Sequence, residues 1–238
     1  MIATDRLPAG AAQHVGGREM VWLGVAGDTA APVCVDVSGA AGRLLVVGPP
    51  RSGRSNVLVV AARQLTAYGR DIAVITGRRS PLKSMITERG MHVLSPHDDR
   101  RFVELRRAHP ELAVLVDDLE AVEGSELERA LAECVGLVDE SQGLVWATAD
   151  TARANAAFRG LVPGLARHGT GLVLCPGAPT DGDCLQARPE PTGRAIPGRG
   201  SLVVDSRCLP IQIARADSCP GPGRLDAEPQ DAVGRRPA

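Results

Sequence analysis

The chain has 238 residues, of which 44% are hydrophobic and 23% charged, and its formal net charge is −1. This length and balance suit one soluble domain with appendages and exclude a disordered or collagen-like polymer. Near-neutrality removes a broad cationic field for DNA or anionic lipid, and with aromatics limited to Trp22, Tyr68, Phe102, Trp146 and Phe158 there is no stacking platform for single-stranded nucleic acid. The core must therefore be aliphatic.

No run approaches the roughly 18 uninterrupted apolar residues of a membrane span, and the N-terminus lacks a basic region followed by an apolar one. A cytoplasmic protein is expected, with any membrane association indirect, through a partner. The six cysteines are scattered without a C-x-x-C pair, which fits reduced thiols better than disulfides or a zinc site. The five histidines are likewise dispersed, and each reads as core filler or surface side chain.

Residues 1–19 carry three glycines and little periodicity and read as a flexible leader. A globular domain over 20–216 follows. It opens with two short apolar runs, Met20 to Val25 and Val33 to Val37, which form a lead-in hairpin. Arg43 to Val47 reads as a buried strand, followed by a Gly/Pro/Ser loop and a helix over Val57 to Leu65 that ends at Gly69. Ile72 to Ile75 and Met91 to Leu94 are strands flanking a helix over Pro81 to Arg89, and Asp98 to Ala108 is an arginine-rich surface helix. Leu112 to Val116 is another buried strand. Ser125 and Glu128 have capping-box spacing for a helix to about Ser141, with Leu127, Leu131, Cys134 and Leu137 or Val138 inward. Strands at Leu144 to Thr148 and Gly171 to Leu174 enclose a helix over Phe158 to His168. Two antiparallel edge strands close the domain, at Ser201 to Val204 and Leu209 to Ile213, before a Pro-rich tail over 217–238. Strands alternating with helices predict an α/β fold whose mostly parallel sheet is covered on both faces.

The run Gly48-Pro49-Pro50-Arg51-Ser52-Gly53-Arg54-Ser55 has the spacing of a phosphate loop, with arginine in the lysine place. It leaves a strand and opens a helix, the context in which backbone N–H groups and the positive helix end converge on phosphate. Ser55 supplies a hydroxyl to Mg²⁺. Val114-Leu115-Val116-Asp117-Asp118 is an apolar strand ending in two acids, the Walker B pattern, in which Asp117 holds the metal and Asp118 orients water. Taken alone, these acids read equally well as helix caps.

Together with Gly24 to Asp36, Leu144-Val145-Trp146-Ala147-Thr148 and Pro197-Gly198-Arg199-Gly200, these runs resemble the FtsK/SpoIIIE family over residues 20–215. The resemblance covers the lead-in hairpin, Walker A, Walker B, the sensor strand and the glycine-rich turn before the last strands. It implies a RecA-like P-loop NTPase fold and an ATP- and Mg²⁺-binding site lined by Gly48, Pro49, Pro50, Arg51, Ser52, Gly53, Arg54, Ser55, Asn56 and Thr148. It further implies metal ligation through Ser55 and Asp117 and a link to DNA translocation or type VII secretion motors. Three positions depart from the family pattern: Arg54 stands for lysine, Asp118 for glutamate and Ala149 for glutamine. Arginine keeps its charge but not the compact ammonium, and an acid shorter by about 1.5 Å exceeds the misplacement of about 1 Å that already costs 100-fold in rate. These departures resemble degenerate ATPase modules, which dock on a second FtsK-like or secretion module, or on themselves, and hydrolyse weakly or not at all. A non-enzymatic regulatory scaffold and an active DNA translocase are the competing expectations.

Arg159 stands where an arginine finger reaches a neighbouring nucleotide, although an ordinary surface arginine is the plainer reading. Arg100, Arg101, Arg106 and Arg107 are the candidate DNA contacts, with a solvated helix face, paired to Asp98, Asp99 and Glu104, as the alternative.

Overall fold

The computed structural model of the chain describes residues 12–216, apart from 16–17, 39, 78–79, 86–89, 142 and 168. Its elements are β1 (Ala12–Val15), β2 (Arg18–Ala26), β3 (Ala31–Asp36), β4 (Arg43–Val47), α1 (Arg54–Ala67), β5 (Ile72–Thr76), β6 (Met91–Leu94), α2 (Asp99–Ala108), β7 (Ala113–Asp117), α3 (Glu126–Ser141), β8 (Leu144–Ala149), α4 (Thr151–Ala156), α5 (Leu161–Ala166), β9 (Gly171–Leu174), β10 (Arg199–Val204) and β11 (Arg207–Ile213). All the strands join one sheet in the order β1-β2-β11-β10-β9-β4-β8-β7-β5-β6, with β3 also paired to β2.

From β9 to β6 every pairing is parallel. Parallel strands need crossovers, and the crossing helices cover both faces, which is why β4, β5, β7, β8 and β9 are mostly apolar and buried along their whole length. The period of two divides each strand between two cores. Leu44 and Val46 of β4 pack with Leu58, Val60, Ala61 and Leu65 of α1. Leu45 and Val47 join Leu127 and Leu131 of α3 and Leu165 of α5 on the other face.

The antiparallel wing is larger than expected from the sequence. The pair β10–β11 forms, and β2 then covers the outer side of β11, so the lead-in hairpin and the C-terminal pair make one continuous extension of the sheet. Strand β1, within the segment read as leader, pairs antiparallel with β2. Residues 1–11 of that leader and the whole of the expected tail from 217 lie outside the described residues.

Gln64 fastens this wing to the parallel layer. Its Oε1 accepts from the Trp22 N–H at 2.9 Å, while its Nε2 donates to the Trp22 carbonyl at 2.8 Å. A buried amide thus satisfies both backbone groups of one β2 residue, and nothing in the hydrophobic pattern of α1 announces it.

Two helical expectations are modified and one helix is added. The described part of Pro81 to Arg89 is a short 3₁₀ helix over Pro81–Met85. The helix expected over Phe158 to His168 is confined to α5, because Gly160 at its N-cap takes φ 84°. Helix α4 was not expected: it has six residues, too few to show periodicity, and is started by Asp150, whose side chain accepts from the Ala152 and Arg153 N–H groups. Ser125 does cap α3, accepting from the Glu128 N–H at 3.2 Å, while the Glu128 carboxylate takes the Gly124 N–H instead of the Ser125 N–H. Val138, not Leu137, is the inward residue.

The five described cysteines are free thiols. Burial pushes Cys134 and Cys184 up to about 11, so both stay protonated at neutral pH. Among the described residues no helix is long and apolar enough to cross a membrane.

The bridge through Gln64 yields a stability prediction. Gln64→Leu strands two buried backbone groups, each costing about 1–3 kcal/mol. Urea unfolding should therefore show a loss of about 2 kcal/mol or more, and a loss below about 0.5 kcal/mol would contradict the bridging role.

Candidate nucleotide site

The chain leaves β4 at Gly48 and must turn sharply to enter α1. Gly48 donates to the Ala149 carbonyl at 3.4 Å, and a Cβ there would lie 2.4 Å from Ser52 Oγ and 3.0 Å from the Leu174 carbonyl oxygen. Gly53 takes φ 99°, and its Cβ would lie 3.0 Å from the Gly198 nitrogen. The loop is pinned from outside, since the Gly198 N–H donates to the Ser52 carbonyl at 2.7 Å, and from inside, since the Ser52 N–H donates to Pro49 O at 3.2 Å. The expected glycine-rich turn at 197–200 therefore acts as a buttress under the loop.

Helix α1 then begins at Arg54 with no side-chain cap. The unpaired N–H groups of a helix's first turn, with the positive end of its dipole, form an anion site. Two buried polar atoms flanking the Gly53 N-cap have no hydrogen-bond partner among the described residues: Ser52 Oγ and Arg54 Nη1. Both are donors that phosphate oxygens would satisfy, so the loop fits a polyphosphate.

Asp117, the last residue of β7, is 3% exposed. Its Oδ1 accepts from Ser55 Oγ at 2.9 Å and from Thr148 Oγ1 at 3.2 Å. Thr148 in turn accepts the Asp118 N–H at 2.8 Å. The strand order explains this meeting. Because β8 lies between β4 and β7, the threonine near its end stands between the loop and the acid strand. A buried carboxylate beside a serine hydroxyl is a hard oxygen donor set of the kind that takes Mg²⁺.

Arg54 reaches across to Asp118, with Nη2 2.9 Å from Oδ1. Asp118 sits at φ 65° and ψ 91°, a backbone conformation rare for a residue with a Cβ and held here by the bond to Thr148. Burial pushes the Asp118 carboxyl above the usual range. The Arg54 charge opposes this, and Asp117, Glu120 and Asp150 add to the rise. Glu120 and Asp150 are site residues that the motifs did not reveal. The Asp150 N–H donates to the Glu120 carboxylate at 2.6 Å, which ties the turn after β8 to the turn after β7.

Other expected site residues are placed elsewhere. The Asn56 side chain bonds the chain's last described segment, donating to Ala214 O at 2.7 Å and accepting the Ala216 N–H at 3.0 Å, which leaves only its backbone at the loop. Pro50 and Arg51 are exposed and Pro49 is partly so. Ala149 is buried in β8 and brings no polar group. Arg159 lies on an exposed turn beside Glu123, Arg153 and Phe158, and among the described residues no hydrogen bond or ion pair joins it to the loop. In the arginine-rich helix, Arg106 donates to Cys134 Sγ at 2.7 Å, so it packs on α3.

No protein-family model matches the chain, and no curated protein does. Solved structures match it in fold. The cytoplasmic domain of the type VII secretion ATPase EccC of Thermomonospora curvata matches with a TM-score of 0.69 at 20% identity, over 90% of this chain and 28% of that one. ATPases 2 and 3 of EssC from Geobacillus thermodenitrificans match with a TM-score of 0.64 at 17% identity, over 82% and 41%. The pCW3 conjugation coupling protein TcpA, in a monomer form with ATPγS, gives 0.59 at 12% identity, over 91% and 71%. The chain spans less than half the length of the two secretion structures. It has the RecA-like P-loop ATPase fold that these proteins share, a mostly parallel α/β sheet with helices.

The crowding at Gly53 is directly testable. Gly53→Ala places a side chain in an unfavourable backbone region and against Gly198, and should lower stability by about 1–3 kcal/mol in denaturant titration. A neutral result would mean that the loop does not hold this turn.

Proposed function

We propose that the chain is an ATP-binding, FtsK/SpoIIIE-like P-loop module with weak or absent hydrolysis, acting as part of, or as partner to, a secretion or DNA-transport motor. One observation carries this reading: a phosphate-loop turn with unpartnered donors at Ser52 Oγ and Arg54 Nη1 coexists with a cation and an acid that hold each other, Arg54 and Asp118. In this reading Gly48 and Gly53 give the backbone its close approach, and the N–H groups from Gly53 to Asn56, at the start of α1, bind phosphate oxygens. Pro49 and Pro50 stiffen the approach to the turn. Ser55 and Asp117 hold Mg²⁺, with Thr148 orienting Asp117.

Mg²⁺-ATP, when bound, supplies the γ-phosphoryl bond and the divalent charge on which any turnover depends. Arg54 offers Nη1 to phosphate while Nη2 stays on Asp118, and turning the whole guanidinium to phosphate requires giving up that bond, which sets part of the cost of binding. Asp118 is too short and too engaged to direct a water as a glutamate does, and Ala149 offers no amide to assist it. Slow or absent turnover follows. Arg159, exposed on its turn, suits a contact in trans with a neighbouring module's nucleotide. The EssC structure of the same fold holds two ATPases, 2 and 3, which supports association with another ATPase module or with a second copy.

Calorimetric titration with ATP and Mg²⁺ tests the binding. Heat is expected at submillimolar nucleotide, and Ser55→Ala should weaken Mg²⁺-dependent affinity about tenfold or more, the worth of about 1.5–3 kcal/mol for a bond to a charged group. No heat at millimolar nucleotide from folded protein would favour the regulatory scaffold, which the Arg54–Asp118 pair also suits. Combining Arg54→Lys with Asp118→Glu should raise kcat about tenfold or more while changing affinity far less, because the restored contacts act chiefly in the transition state. Equal turnover in wild type and double variant would place the defect elsewhere.

A further inference from the structure

At the opposite end of the sheet from the phosphate loop, three side chains converge that the sequence scatters over nearly forty positions. Asp71 directly precedes the first residue of β5, His92 is the second residue of β6 and His109 caps the C-terminus of α2. Their meeting is a product of register. Ala73 is the partner of His92, and Asp71 lies two residues before Ala73, so both side chains leave the sheet on one side. The Ala113 N–H donates to the Asp71 carbonyl at 2.9 Å, which anchors the acid beside the start of β7 and the end of α2.

Asp71 Oδ2 lies 2.8 Å from His109 Nδ1, and Asp71 Oδ1 lies 3.9 Å from His92 Nε2. One ligand atom from each of the three residues lies within 4.8 Å of the others, and all three side chains are half-buried. His92 Nε2 is buried and has no hydrogen-bond partner among the described residues. A ring nitrogen shut off from solvent, short of hydrogen-bond reach of the acid and left without a donor or acceptor, is a group awaiting a ligand.

We propose that Asp71, His92 and His109 form a site for a divalent transition-metal ion, with Zn²⁺ as the physiological class. Two imidazoles and one carboxylate suit Zn²⁺, Co²⁺ or Ni²⁺ and not the all-oxygen preference of Mg²⁺ or Ca²⁺, so the site is chemically distinct from the nucleotide's metal. Ligand atoms about 2.0–2.1 Å from a tetrahedral Zn²⁺ stand about 3.3 Å apart, so the Asp71–His109 pair opens slightly and His92 draws in toward the other two ligands. Water takes the fourth position, on the exposed side. The ion ties together β5, β6 and the connection from α2 to β7. It lies a strand's length, about 16 Å at 3.3 Å per residue, from the end of the sheet where Asp117 stands.

Titration of the metal-stripped full chain with Zn²⁺ under reducing conditions tests this, with Co²⁺ absorption as the ligand readout. Expected are one Zn²⁺ per chain, a melting temperature that rises with added Zn²⁺, and a Co²⁺ spectrum without thiolate charge-transfer bands. His92→Gln and Asp71→Asn should each weaken Zn²⁺ at least tenfold, and His109→Gln serves in place of either variant that melts low without metal. No binding at millimolar Zn²⁺, equal affinity in wild type and variants, or a Co²⁺ spectrum dominated by thiolate would overturn the assignment.

Discussion

One carboxylate oxygen organises the site end of the molecule. Asp117 Oδ1 receives Ser55 from the phosphate loop and Thr148 from the strand beside it, and Thr148 passes a further bond to the backbone of Asp118. A buried carboxylate without those donors would be strongly destabilising in an aliphatic slab. The bonds therefore fix the relative positions of α1, β7 and β8, and the loop is shaped before any ligand arrives. Preorganisation of this kind lowers the ordering cost of binding.

Arg54 and Asp118 make sense as a matched pair. Relative to the lysine and glutamate that the family resemblance leads one to expect, the cation is longer and forked and the acid shorter. The longer arm reaches the shorter acid at 2.9 Å. The pair thus joins the start of α1 to the residue after β7. Burial raises the Asp118 carboxyl, with Arg54 opposing the rise and Asp117, Glu120 and Asp150 adding to it. In the proposed reading, a divalent cation entering with nucleotide adds positive charge beside these acids.

Much of this architecture was legible in the chain. The buried strands β4, β5, β7, β8 and β9 announce themselves as short aliphatic runs, and the loop as glycines at fixed spacing between strand and helix. What the sequence hides are contacts that depend on strand order. Thr148 meets Asp117 only because β8 lies between β4 and β7, and two dispersed histidines reach Asp71 only because β5 lies between β6 and β7. Helix α4 escapes notice because a single capping aspartate defines it. Gln64 escapes because a polar residue on a buried helix face gives no sign of the partner it serves, and Asn56 because its side chain turns from the loop toward the end of the domain.

Nucleotide affinity of Asp118→Ala, measured in the wild-type and Arg54→Ala backgrounds, tests the closed pair most directly. If Arg54 is held away from phosphate by Asp118, removing the acid should tighten ATP binding about tenfold, the order of one charge-assisted hydrogen bond to phosphate, and most of that tightening should vanish when Arg54 is alanine. Equal tightening in both backgrounds, or none in either, would show that the two residues do not restrain each other in the way their geometry implies.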